Sequence, residues 1–178
     1  MLNNKFSKGV IFSCIAAIFW GLPQPLFFNE LNHVETIEVV AHRGFWSFIF
    51  LFLLLILISN ISDFIEIFKS RKRIFILTIT AFLIAGNWAG FIYSVGQERV
   101  QDASMGYFIT PMISIVLGYF FLNEKITKPK FASVCFMLSG ILFLFINLNQ
   151  FPFLIIWIGT SWAIYGLLRK QVNVNPSI

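Results

Sequence analysis

The stretch DASMGYFITPMISIVLGYFFLNEK, Asp102 to Lys125, decides the fold. Its charges stand only at the two ends, Pro111 sits near the middle, and everything between is apolar, small or uncharged. As a helix rising ~1.5 Å per residue, such a run crosses a hydrocarbon layer ~30 Å thick. Every fourth position is small: Gly106, Thr110, Ser114 and Gly118. Small groups one turn apart form a smooth stripe against which a second helix can lie closely. A segment that both spans and packs belongs to a helical bundle inside a membrane.

The rest of the chain supplies the bundle. It is 58% hydrophobic and 12% charged, against about 25% charged for soluble domains. A water-soluble fold of 178 residues cannot hide that much apolar surface. The fold class is an all-α integral membrane protein. Six apolar runs are expected to span: Gly9 to Phe28, Ile37 to Ser59, Ile74 to Val95, the opening stretch, Phe131 to Leu148, and Phe151 to Leu168. Each is about 18–23 residues, one helical crossing. A transmembrane β-barrel needs alternating segments of about 10 residues, a pattern absent here. The 23 phenylalanines, with abundant Ile, Asn and Lys, read as codon drift and receive no functional weight.

Orientation follows from Lys and Arg. With a cytoplasmic N-terminus, Lys5, Lys8, Lys69, Arg71, Lys72, Arg73, Lys125, Lys128, Lys130, Arg169 and Lys170 all fall inside. Outside lie only Arg99 and the acidic Glu30, Glu35, Glu98 and Asp102, and Arg43 is within the second run. Both termini are therefore placed in the cytoplasm. The net charge of +5 is a topology signal, not a nucleic-acid surface. The first run lacks a small-residue cleavage site and reads as a retained span. Cys14 and Cys135 are expected to be buried free thiols. Pro129, Pro152 and Pro176 mark first turns and breaks of helices.

Small-residue stripes recur at Gly9, Ser13, Ala17 and Gly21, at Gly86, Asn87, Gly90 and Ser94, and at Gly159, Ala163 and Gly166. Each suits either tight helix packing or the lining of a solvated cavity. AIFWG (Ala17 to Gly21) in the first run is echoed by AIYG (Ala163 to Gly166) in the sixth. The two helices run in opposite directions, the layout of inverted repeats.

Polar groups inside the hydrocarbon are the candidates for function. The second run opens with Glu38, His42, Arg43 and Trp46, with Arg43 ~9 Å deep at helical rise. Arg43 either reaches back to pair with Glu38 or Glu35, or faces inward to meet a solute. His42 is a group that titrates near neutral pH. Asn87 and Trp88 lie in mid-span in the third run, and Trp20, Tyr107 and Tyr165 are aromatics able to wall a pocket. Glu124, beside Lys125 at the cytoplasmic edge, suits bonding of helix ends or pairing with a loop cation. Pro111 has no N–H for the Tyr107 carbonyl, so a kink is expected there. Enzyme signatures fail: there is no H-E-x-x-H, no P-loop and no G-x-S-x-G, and neither Asp63 nor Asp102 is in a span core. No catalytic residue, metal or cofactor is expected.

Several segments together resemble the RarD-type, chloramphenicol-sensitivity-protein branch of the EamA family, in the drug/metabolite transporter superfamily. They are HRGFWSF (His42 to Phe48), GNWAGFIY (Gly86 to Tyr93), ASMGYFITPMISIVLGYFFLNE (Ala103 to Glu124), YGLLRK (Tyr165 to Lys170) and FWG (Phe19 to Gly21). Pro111, Glu124 and Gly140 stand where EamA domains carry a proline, a glutamate and a glycine. The resemblance implies a ten-helix carrier of the bacterial inner membrane made of two inverted five-helix repeats, moving a small metabolite or drug without ATP. Residues 1–148 would form one repeat, and 149–178 would begin the second. Asn123 replaces the glycine before the family's glutamate, and Pro23 and Pro25 crowd the end of the first run. The chain ends after its sixth run, so two states are expected: a permease completed by a second copy or a missing half, or a transport-inactive remnant or membrane interaction module. Candidates for the substrate path are Trp20, His42, Arg43, Asn87, Trp88, Tyr107 and Tyr165. The partners of the 102–125 stripe are expected among helices this chain lacks. Substrate, direction and coupling ion are not legible, and the only other expected partner is the lipid bilayer.

Overall fold

Backbone N–H and C=O groups in a bilayer must be satisfied within their own segment, so long apolar runs become helices. A computed structural model describes residues 2–58, 61–146 and 152–172. Among them the secondary structure is α1 (Leu2–Gly21), α2 (Pro23–Glu30), α3 (Thr36–Ile58), α4 (Ile61–Phe68), α5 (Arg71–Gly96), α6 (Val100–Leu122), α7 (Lys128–Ile146) and α8 (Phe153–Gln171), with no strand. The expected repeat boundary at 148–149 and Pro176 lie outside the described residues.

The first apolar run is not one continuous helix. Leu22 closes α1 by donating to the Ile18 carbonyl at 3.1 Å, and Pro23 and Pro25 have no N–H to carry that ladder onward. Pro23 instead takes the first position of α2, where its fixed φ is already helical. A further difference is α4, a short helix inside what reads as a loop, with Ile67 buried and Glu66 exposed. Ser70 then caps α5, its hydroxyl accepting the Arg73 N–H. The turn into α6 is tight: Glu98 has φ 58°, and the Arg99 N–H reaches the Ser94 carbonyl at 2.7 Å.

Among the described residues five stretches are long and apolar enough to cross a membrane: Lys8–Glu30, Thr36–Leu57, Arg71–Gly96, Val100–Leu122 and Lys128–Ile146. The sixth expected span, α8, is not among these five; it carries Thr160 and Ser161 in its middle and Arg169 and Lys170 in its last turn. Its position explains this. Ile155, Ile158, Gly159, Ser161 and Ala163 of α8 are buried, because α8 lies against both α5 and α6 in the most extensive packing of the molecule. A helix covered by protein need not be apolar all round.

That packing also corrects the expectation that the α6 stripe awaits absent helices, since its partner is α8 of the same chain. A Cβ on Gly106 would stand 2.7 Å from Ile158 Cβ and 3.1 Å from the Ile155 carbonyl oxygen. One on Gly159 would stand 2.5 Å from Ile109 Cγ1 and 2.8 Å from the Gly106 carbonyl oxygen. Gly86 and Gly90 of α5 meet Trp157 of α8 in the same way, at 2.8 and 3.1 Å. The stripe on α1 behaves otherwise, because Gly9 and Gly21 have no such neighbour within 4 Å. Cys14 and Cys135 are exposed rather than buried; an apolar residue on a membrane helix faces lipid as readily as protein. The same reason covers the outward Phe50, Leu57, Phe136, Phe143 and Ile146.

Gly159→Ala is expected to lower stability by about 1–3 kcal/mol through overpacking. Gly140→Ala, where nothing lies within 4 Å, is expected to be neutral or stabilising by up to about 1 kcal/mol. Thermal unfolding of the two variants in detergent measures the contrast.

Candidate functional site

The α5–α6–α8 junction contains a polar centre. Gly86 and Gly90 bring α5 against α8, and this places Asn87, with 0% exposure, between the helices. Its Nδ2 donates to the Ile158 carbonyl at 2.8 Å and to Ser161 Oγ at 3.0 Å. The Tyr107 hydroxyl of α6 donates to Asn87 Oδ1 at 2.8 Å. Ser161 returns a bond to the Ile158 carbonyl at 3.2 Å, and Trp157 Nε1 donates to the Gly86 carbonyl at 2.9 Å. One amide thus ties three helices, and each of its partners would be costly to leave unpaired in an apolar medium.

Aromatic rings surround this centre. Trp20 of α1 lies 5.6 Å from Tyr107, 6.0 Å from Trp162 and 6.5 Å from Phe91, centroid to centroid. Tyr107 also meets Phe91 at 6.0 Å and Trp162 at 6.1 Å, and Tyr165 stacks on Trp162 at 5.3 Å. Trp20 of AIFWG therefore meets Trp162, the residue just before AIYG, and Tyr165 of AIYG stacks on that same Trp162 ring.

Arg43 turns inward, its guanidinium 4.1 Å from the Trp88 ring centroid and 5.5 Å from that of Phe28. Among the described residues it makes no ion pair, so neither Glu38 nor Glu35 is its partner. Phe28 joins Arg43 to the aromatic wall through Phe91, 6.0 Å away. His42, Glu38 and Trp46 are exposed on the outer side of α3. Of the sequence-derived candidates, Trp20, Arg43, Asn87, Trp88, Tyr107 and Tyr165 come together, and His42 stands apart. Pro111 is exposed within an α6 that runs unbroken from Val100 to Leu122.

Toward the C-terminal ends of α6 and α8 a gap opens between them. Ser114 and Gly118 of α6 and Ala163 and Gly166 of α8 line a cleft of about 300 Å³. Glu124 stands at its mouth, bonded to Lys170 Nζ at 2.5 Å, with Lys130 4.0 Å away. Glu124 is aimed there by its backbone. Asn123 adopts φ 53°, and the Glu124 N–H returns to the Gly118 carbonyl at 3.1 Å. Glycine is favoured in this left-handed turn, and asparagine is the side chain that best tolerates it, so the Asn123 departure keeps the geometry. The absence of a side chain on Gly118 makes room for the Glu124 carboxylate, which a Cβ would meet at 3.2 Å.

Ser161, Trp162, Phe91, Phe28 and Lys170 were not legible as site residues. Phe28 and Phe91 were lost among the other phenylalanines, and Ser161 and Trp162 immediately precede a repeat segment whose limits stopped short of them. The Lys170–Glu124 bond joins residues 46 positions apart, a distance no local pattern encodes.

Membrane-length helices around a buried polar centre walled by aromatics define a multi-pass membrane protein. The sequence profile of the EamA-like transporter family matches residues 7–146, and the chain belongs to that family. It is 33% identical over 168 residues to Protein RarD of Escherichia coli strain K12, covering 94% of this chain and 56% of the relative. It is 32% identical to an uncharacterized transporter of Vibrio cholerae serotype O1, covering 94% and 55%. It is 29% identical to the uncharacterized transporter YojE of Bacillus subtilis strain 168, covering 100% and 60%. The chain thus spans little more than half the length of these relatives. No solved structure matches it.

The Lys170 hydrogen bond and charge, helped by Lys130, hold the Glu124 carboxyl below its ordinary pKa of 4.5. A depressed folded-state value means that the bond stabilises fully above the ordinary value and is lost as pH falls through the lower one. Melting temperature measured at about pH 7 and about pH 3.5 is expected to drop more for the wild type than for Glu124→Gln. Equal drops would show that the carboxylate contributes nothing.

Proposed function

We propose that this chain is a secondary-transport permease of the drug/metabolite type, moving a small metabolite or drug across the bacterial inner membrane without ATP, and that it is not an enzyme. The observation that carries this reading is Asn87, fully buried and bonded to Tyr107 and Ser161 inside the Trp20–Phe91–Trp162 wall. Polar groups deep in a membrane bundle are costly and are characteristic of solute pathways, and aromatic surfaces with a few convergent polar groups are the make-up of small-molecule sites. Trp20, Arg43, Asn87, Trp88, Tyr107 and Tyr165 line the path, with His42 outside it in this conformation.

Residues 1–148 form one repeat of the carrier and 149–178 open an inverted second one. The greater length of the relatives and the central seat of α8 support this division. A second copy of the chain or the remaining half of the carrier completes the cavity. The distribution of Lys and Arg supports cytoplasmic termini, and the missing N–H at Pro111 supports a hinge in α6 for alternating access.

The test is uptake by proteoliposomes holding the purified chain, using radiolabelled chloramphenicol, which appears in the name of one relative, beside a panel of small metabolites. Saturable uptake is expected, reduced at least about tenfold, ~1.4 kcal/mol, in Asn87→Ala and Trp20→Ala, with membrane insertion retained. Unchanged rates in both variants would remove the site from the path. Absence of uptake by the wild-type chain across the panel would make it a membrane module without transport.

A further inference from the structure

Arg43 is a cation with nothing opposite it. It lies seven positions after Thr36, the first residue of α3, hence ~10 Å along the helix. It is half-buried, and among the described residues its guanidinium makes no hydrogen bond and no ion pair. Its contacts are the rings of Trp88 and Phe28. Rings can cover the faces of a guanidinium, but they leave the N–H groups along its edge unsatisfied. The nearest acidic residues in sequence, Glu35 and Glu38, are exposed and do not reach it.

A neighbouring group shows the same want of a partner. Trp88 Nε1, on the ring that Arg43 stacks against, is buried with no acceptor. Buried donors are nearly always paired, so the Trp88 N–H beside the Arg43 guanidinium points to a missing acceptor. A planar guanidinium presents parallel N–H groups that match the two oxygens of a carboxylate, and the Trp88 N–H adds a further donor. Beyond these donors the surface is apolar and aromatic, running from Phe28 through Phe91 to Trp20 and Tyr107.

We propose that Arg43 and Trp88 form an anion site that binds the carboxylate of an organic acid whose aromatic or bulky apolar body lies along the Phe28–Phe91–Trp20 wall. This rests on the interior being open to a solute and adds the charge and shape of that solute. A phospholipid headgroup phosphate offers similar oxygens, but it lacks a compact apolar body to occupy the wall.

The experiment is equilibrium binding, which does not depend on transport. The purified chain in lipid-free neutral detergent is titrated by calorimetry with 3-phenylpropionate and with its neutral isostere 3-phenylpropionamide. The acid is expected to bind at least about tenfold more tightly than the amide. Arg43→Gln is expected to bring the two to equal affinity, and Arg43→Lys to keep the preference with weaker binding. Trp88→Phe, which keeps the ring and removes the N–H, is expected to weaken the acid about three- to tenfold. Size-exclusion profiles matching the wild type establish that the variants are folded. Equal affinities in the wild type, a preference surviving in Arg43→Gln, or no binding of the acid at millimolar concentration would each overturn the proposal. Acid binding in detergent that disappears in phosphatidylcholine nanodiscs would assign Arg43 to headgroup phosphate and overturn it as well. If the amide binds as well as the acid and Asn87→Ala abolishes both, the solute path stands and only the anionic class falls.

Discussion

The close approach of α6 and α8 is the constraint on which the rest of the molecule depends. Between membrane helices there is no hydrophobic drive, since lipid tails are as apolar as leucine, and association comes from van der Waals fit and hydrogen bonding. Gly106 and Gly159 permit that fit, because their backbones meet where any side chain would collide with Ile158 or Ile109. With α8 seated there, its Ile158 carbonyl and Ser161 hydroxyl come within reach of Asn87. Trp157 closes the other side by bonding to the Gly86 carbonyl. The polar centre is therefore a consequence of the backbone contact.

Toward the C-terminal ends of the same two helices, small residues of both stripes line a cleft. One four-residue repeat thus performs two tasks on α6: Gly106 and Thr110 pack, while Ser114 and Gly118 line space. Glu124 bridges the gap to Lys170. A half-exposed pair of this kind contributes little to overall stability, but it ties together the C-terminal ends of two helices across the cleft between them.

Chain order and chain packing diverge at α8. It comes last among the described helices, yet it is the most enclosed, and its buried Ser161 is tolerable because it bonds to Asn87 of α5. At the other extreme α1 carries a stripe just as regular, with Gly9 and Gly21 meeting nothing within 4 Å. It joins the site only through Trp20. Periodicity reports that a helix can be approached closely and is silent on whether it is.

By itself the sequence determined that this is a helical membrane protein, where five of its spans lie, and which residues merit attention as polar or aromatic groups at membrane depth. These follow from run length, from the cost of unpaired backbone in lipid, and from composition, all of which are local. Tertiary structure alone decided which stripe found a partner, that Arg43 turns inward while His42 faces out, and that Lys170 rather than a loop cation chiefly holds Glu124. A single position along α3, about 100° around its axis, separates inward Arg43 from outward His42, and a hydrophobic sequence lacks the polar face that would mark the difference in water. In lipid the outside of a helix is as apolar as its inside, so the direction a side chain takes is written only in the packing.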